Sequence, residues 1–141
     1  MATRSRIGIE NEDGTVSSIY CHWDGYPSHN GKLLVENYQD REKVKALIAL
    51  GSISSLNKEV SPPNKDHSFD KPMEGVTVAY HRDRGEDYDP PRLNESRDDY
   101  FEDDNEEYGY LFTKEGEWLV KPCYGTNSVP QPIIEALAEE T

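Results

Sequence analysis

Two short clusters hold the residues best suited to bind a ligand. His22, Trp23, Asp24 and Tyr26 form one, and His81, Arg82, Asp83 and Arg84 form the other. Arg82 and Arg84 offer planar donor sets matched to phosphate oxygens. Trp23 and Tyr26 offer faces on which a nucleobase stacks. Asp24 or Asp83 can accept from a base amine or a ribose hydroxyl, or orient a neighbouring Arg or His. Folded together, the eight residues describe a pocket for a small nucleotide. The competing reading is structural: Arg82-Asp83-Arg84 as a surface ion-pair cluster, worth about 0–1 kcal/mol, and Trp23 as a lid on the core. His29 and His67 sit in polar stretches and are expected to be exposed and idle.

Covalent chemistry has little support. The chain has no Gly-x-Ser-x-Gly elbow and no glycine-rich phosphate loop, and neither Cys21 nor Cys123 lies in a catalytic signature. No catalytic residue is assigned, and enzymatic activity is left open as the less favoured reading. Two His-x-Asp units could supply two imidazoles and two carboxylates to zinc or iron. No third motif with metal spacing accompanies them, so no metal site is assigned and no cofactor is expected.

The elements that must position these clusters follow from period and turn chemistry. Residues 6–10 and 16–22 alternate as strands around the Asp13-Gly14 turn. Ile7, Ile9, Ile19 and Cys21 share a buried face, with Ser18, Tyr20 and His22 opposite. The loop from Trp23 to Gly31 leads to a short helix over 32–38. Asp40 caps a firmer helix over 41–50, with Val44, Leu47 and Ile48 inward and Gly51 at its end. Residues 52–70 read as irregular around Pro62-Pro63. Residues 76–81 read as a third strand, with His81 facing away from the core. If both strands belong to one sheet, His22 and His81 point to the same side, provided the strand ends share an edge. Residues 108–112 and 118–120 form a hairpin whose Tyr108, Tyr110 and Phe112 face the core. A helix over 130–140 docks through Ile133, Ile134 and Leu137. The predicted fold is one α+β domain over 1–141: a mainly antiparallel sheet with two or three helices on one face.

Composition limits the partners. The formal charge is −13 and the hydrophobic fraction 34%, so the core is small and duplex DNA or an anionic membrane is disfavoured. Between Glu86 and Glu107 stand eleven acids against two arginines, predicting a mobile acidic loop. Two cysteines without metal spacing, and no apolar export segment after Met1, predict buried thiols in a reducing compartment.

Arg4-Ser5-Arg6-Ile7-Gly8-Ile9 followed by Tyr20-Cys21-His22-Trp23-Asp24-Gly25-Tyr26-Pro27 resembles a widespread family of small, uncharacterised tailed-bacteriophage proteins. Leu47-Ile48-Ala49-Leu50-Gly51, His81-Arg82-Asp83-Arg84-Gly85-Glu86, and Tyr108-Gly109-Tyr110-Leu111-Phe112 with Trp118 fit the same pattern in order, so the resemblance spans about residues 4–120. It implies a phage accessory protein acting in the host cytoplasm, of the kind that counters host defence, and it carries no reaction. Three readings follow. The first is sequestration of a small phosphorylated signal, such as a cyclic nucleotide, by the eight residues above. The second is an acidic inhibitor that covers the nucleic-acid or nucleotide site of a basic host protein, with Arg82 and Arg84 structural. The third is a metal-dependent hydrolase built on His22, Asp24, His81 and Asp83. Homo-oligomerisation is compatible with all three.

Overall fold

The computed structural model describes residues 3–61, 67–103, 107–122 and 130–140. Pro62-Pro63, Cys123 and the acids Asp104 and Glu106 lie outside them. The predicted first hairpin forms as β1 (Ser5–Glu10) and β2 (Val16–Cys21), paired with Ile7 opposite Ile19. The turn closes through Asp13, whose carboxylate accepts from the Thr15 N–H and hydroxyl.

After β2, a wide helical turn over Pro27–Gly31 leads into α1 (Lys32–Asn37). Helix α2 (Arg41–Ala49) starts where Asp40 accepts from the Glu42 N–H, and buries Val44, Leu47 and Ile48. Gly51 follows at φ 75°, and a Cβ there would lie 2.3 Å from the Asp89 carbonyl oxygen. Gly51→Ala therefore combines left-handed strain with a backbone clash. We expect a loss of about 2–3 kcal/mol in urea denaturation, more than for an exposed Gly→Ala change elsewhere.

The stretch expected to be irregular after Gly51 contains a three-residue strand, β3 (Ile53–Ser55). The expected third strand is cut to β4 (Val78–Ala79), because the chain turns at once into α3 (Tyr80–Arg84). The Asp83 carboxylate reaches back to the Ala79 N–H at 2.7 Å, and Gly85 closes the helix. His81 thus lies on a helix rather than on a sheet face. The acidic stretch is also not one structureless loop: it contains β5 (Arg92–Asn94) and α4 (Arg97–Asp103). The second hairpin forms as predicted, from β6 (Tyr108–Phe112) and β7 (Trp118–Pro122). A two-residue strand, β8 (Gln131–Pro132), precedes α5 (Ile133–Glu140). Ile133 is buried but Ile134 is 70% exposed, so the docking stripe is Ile133, Ala136 and Leu137. Residues 133, 136 and 137 follow the i, i+3, i+4 spacing of one helix face, and Ile134 falls outside it.

All eight strands join one mostly antiparallel sheet in the order β4-β3-β2-β1-β6-β7-β8, with β5 also paired to β2. The central pair, β1 with β6, is parallel, Ile7 lying opposite Tyr110. Side-chain alternation then divides the sheet cleanly. Ile7, Ile9, Ile19, Cys21, Tyr110 and Phe112 face the main core, together with buried residues of α1, α2 and α5. The opposite face carries a smaller cluster of Val16 and Leu111, covered by Tyr100 and Phe101 of α4. Three helices thus pack on one face, and a short acidic helix covers part of the other.

Candidate functional site

The loop after β2 is fixed by its backbone. His22 and Trp23 N–H groups donate to Ile53 and Ser54 carbonyls of β3. The Gly25 N–H donates to the Thr3 carbonyl at 2.8 Å, and the Gly25 carbonyl accepts from the buried Tyr110 hydroxyl at 2.5 Å. A Cβ at Gly25 would sit 2.8 Å from Thr3 O and Ser5 Cβ, so only glycine permits this approach. Asp24 has φ 56°, the one non-glycine with positive φ among the described residues. The buried Asn30 amide closes the loop from below, donating to Ser5 Oγ and Cys21 Sγ.

On this frame Trp23 is 45% exposed and Tyr26 38% exposed. Trp23 is therefore not a lid on the core. The His22 ring packs edge-on against the Trp23 ring at 4.8 Å, and its Nδ1 is hydrogen-bonded to the Tyr20 hydroxyl at 2.7 Å. The Tyr26 hydroxyl points to Asp24 Oδ1 at 3.4 Å, and the nearby Asp24 charge raises the phenol's pKa. His29 is half-buried, packs near Tyr26 and bonds Asn30 through Nδ1, so it is not idle.

The α3 cluster has a different character. Arg82 directs Nε and Nη2 to the two Asp83 carboxylate oxygens at 2.8 and 2.9 Å. Its remaining donors reach the Val60 and Thr77 carbonyls. His67, expected to be exposed, has a buried imidazole whose Nε2 lies 3.0 Å from Asp83 Oδ2. Its Nδ1 accepts the Met73 N–H at 3.0 Å, so in the neutral ring the proton sits on Nε2. Burial alone would raise the Asp83 pKa. The Arg82 guanidinium, the Ala79 N–H and His67 outweigh it and hold the carboxyl below its ordinary 3.8. Arg84 lies over the Phe69 ring at 4.9 Å and pairs loosely with Glu86, while His81 bonds the Glu86 carbonyl and meets the Tyr88 ring. Arg82 and Asp83 therefore form an internal clamp that ties α3 to the segments around Val60, His67 and Thr77.

The two clusters leave the sheet in opposite directions. β3 is parallel to β2, with Ile53 opposite Cys21, and antiparallel to β4, with Ile53 opposite Ala79. The chain thus exits β2 alongside Ser54, whereas it exits β4 alongside Ser52. No described hydrogen bond, ion pair or ring contact joins His22, Trp23, Asp24 or Tyr26 to His81, Arg82, Asp83 or Arg84. Nor do three or more His, Cys, Asp or Glu side chains among the described residues assemble into a cation site. A groove of about 570 Å³ lies elsewhere, between Val35, Gln39, Trp118, Pro132 and Ile134. Cys21 offers no nucleophile, since burial pushes its thiol up to about 11.

The acidic segment supplies a further charged surface. Tyr100 and Phe101 seat α4 on the sheet, and the Tyr100 hydroxyl donates to the Tyr110 carbonyl at 2.7 Å. Arg97 ties the start of α4 to the buried Glu10 carboxylate at 2.7 Å and to Glu115. Burial opposes ionisation of Glu10, but Arg97 and the Lys114 N–H together lower its pKa. Asp99 has a structural role, accepting from the Asn94 amide and the Glu95 N–H. Asp87, Glu95, Asp98 and Glu102 of the same stretch of chain are exposed. No helix among the described residues is long and apolar enough to cross a membrane.

The chain is thus an α+β protein with a clamped basic cluster and an outward acidic surface. No family model, curated protein or solved structure matches it.

Proposed function

We propose that the protein is an accessory protein that binds a basic protein partner and covers a surface otherwise occupied by nucleic acid or nucleotide. With the phage resemblance, that partner is a host protein and the effect is inhibitory. The observation that carries this reading is the contrast between the two charged regions. The guanidinium best suited to grip a phosphate, Arg82, has its donors engaged inside the fold, whereas Asp87, Glu95, Asp98 and Glu102 face water on a braced segment. An excess of exposed carboxylates accelerates encounter with a cationic surface and repels nucleotides. Sequestration of a phosphorylated signal has less support, because it needs Arg82 free and joined to His22 in one cleft.

The test is capture from host lysate with the intact protein and with a variant carrying Asp87→Asn, Glu95→Gln, Asp98→Asn and Glu102→Gln. A stoichiometric basic protein is expected, released by heparin or short DNA. The variant's association rate should fall at least about tenfold at low salt. Equal capture by both forms, or a partner indifferent to polyanions, refutes the proposal.

A further inference from the structure

Among the residues outside the acidic surface, the loop after β2 has features that its structural role does not require. Its backbone is held by β3, by Thr3 and by the Tyr110 hydroxyl, yet it presents two large aromatic side chains to solvent. Asp24, between Trp23 and Gly25, is a carboxylate held in a left-handed conformation. Asn or Gly would relieve that strain at least as well, so the backbone conformation does not explain the charge.

We propose that Trp23, Asp24 and Tyr26 form a preformed receptor for an arginine side chain of the partner. This rests on the reading above that the partner is a basic protein. A guanidinium is planar and weakly hydrated, so it stacks on an aromatic face while its edge donates to a carboxylate. Lysine offers a point charge and cannot satisfy both demands. Trp23 supplies the face, braced edge-on by His22, and Asp24 supplies the acceptor, with the Tyr26 hydroxyl 3.4 Å from the same carboxylate. The fixed backbone lowers the entropy lost when the arginine docks. Tryptophan and tyrosine also dominate the energetic centres of protein interfaces. A nucleobase could stack on the same rings, but its phosphate would meet Asp24 and a molecule of charge −13.

The experiment uses the intact, isotope-labelled protein, nona-arginine and nona-lysine peptides at low salt, and adenosine monophosphate. The two tryptophans separate the signals, since Trp118 is buried with its indole N–H on the Tyr38 carbonyl and Trp23 is exposed. Nona-arginine should bind at least about fivefold more tightly than nona-lysine. It should move the Trp23 indole resonance to saturation and leave that of Trp118 in place. Trp23→Ala and Asp24→Asn should each reduce nona-arginine to the nona-lysine level. The second change keeps a residue that accepts positive φ, so a loss there reports the charge. Equal, salt-sensitive affinity for both peptides, unchanged in both variants, overturns the receptor and leaves the acidic-surface reading standing. Binding of neither peptide overturns both, and saturable movement of Trp23 by the nucleotide overturns the arginine assignment.

Discussion

Tyr100→Ala is expected to remove about 3–5 kcal/mol of folding stability, read from urea denaturation. The ring is fully buried on the sheet face opposite the main core, where it packs with Val16 and Leu111. Its hydroxyl also donates to the Tyr110 carbonyl, so truncation both opens a void and removes that hydrogen bond. Tyr100→Phe keeps the ring and should cost only about 1 kcal/mol. The alanine variant should also detach the acidic segment before the sheet melts, seen as early hydrogen exchange over 97–103. If Tyr100→Ala is as mild as Tyr100→Phe, α4 is not anchored by this ring.

Asp83→Ala is expected to be comparably severe, again about 3–5 kcal/mol, because it leaves a guanidinium without its carboxylate in a half-buried setting. Arg82 would keep only the Val60 and Thr77 carbonyls, the Ala79 N–H would lose its acceptor, and the buried His67 would face a void. Asp83→Asn preserves the shape and should lose less. The native carboxyl also sets a pH dependence. Its folded-state pKa lies below 3.8, so its stabilising effect is complete above the ordinary carboxylate range and fades as pH falls through the lowered value. Glu10, lowered from 4.5, acts in the same sense. Denaturation midpoints should therefore drop on acidification below about pH 4 in the wild type and more shallowly in Asp83→Asn. Identical acid profiles would show that Arg82 and Asp83 do not stabilise each other in the folded state.

Local signals make much of this architecture legible in the sequence. The Asp13-Gly14 hairpin, the Asp40 cap, the Val44-Leu47-Ile48 stripe and the second hairpin depend on neighbours within one or two turns of chain. The features that escaped depend on distant partners. β3 and β5 span three residues each and exist because β2 offers them an edge. In α4, Tyr100 and Phe101 are adjacent, so no helical spacing stands out against the acids, and the helix is held by Arg97 and the sheet. Tyr80 and His81 continue an alternating pattern that reads as strand, while Asp83 and Gly85 carry the start and stop of the helix that forms there.

The candidate site was legible in its residue types more than in its arrangement. Both clusters matter to the molecule, but one is solvent-facing and the other is an internal clamp. Nothing in a polar stretch marks His67 as the partner of Asp83, since the pairing needs the intervening chain to fold back. The carboxylates of the 86–107 stretch were visible as a run, although not the division between anchoring Asp99 and outward Asp98.

The central parallel pair has a consequence for synthesis on the ribosome. β1 finds β2 a few residues later, but its other edge waits for β6, roughly a hundred residues downstream. Until Tyr108 to Phe112 have left the exit tunnel, one edge of β1 stays open. A strand edge left unpaired for that long can pair with another chain, so the order of synthesis itself imposes a period of exposure.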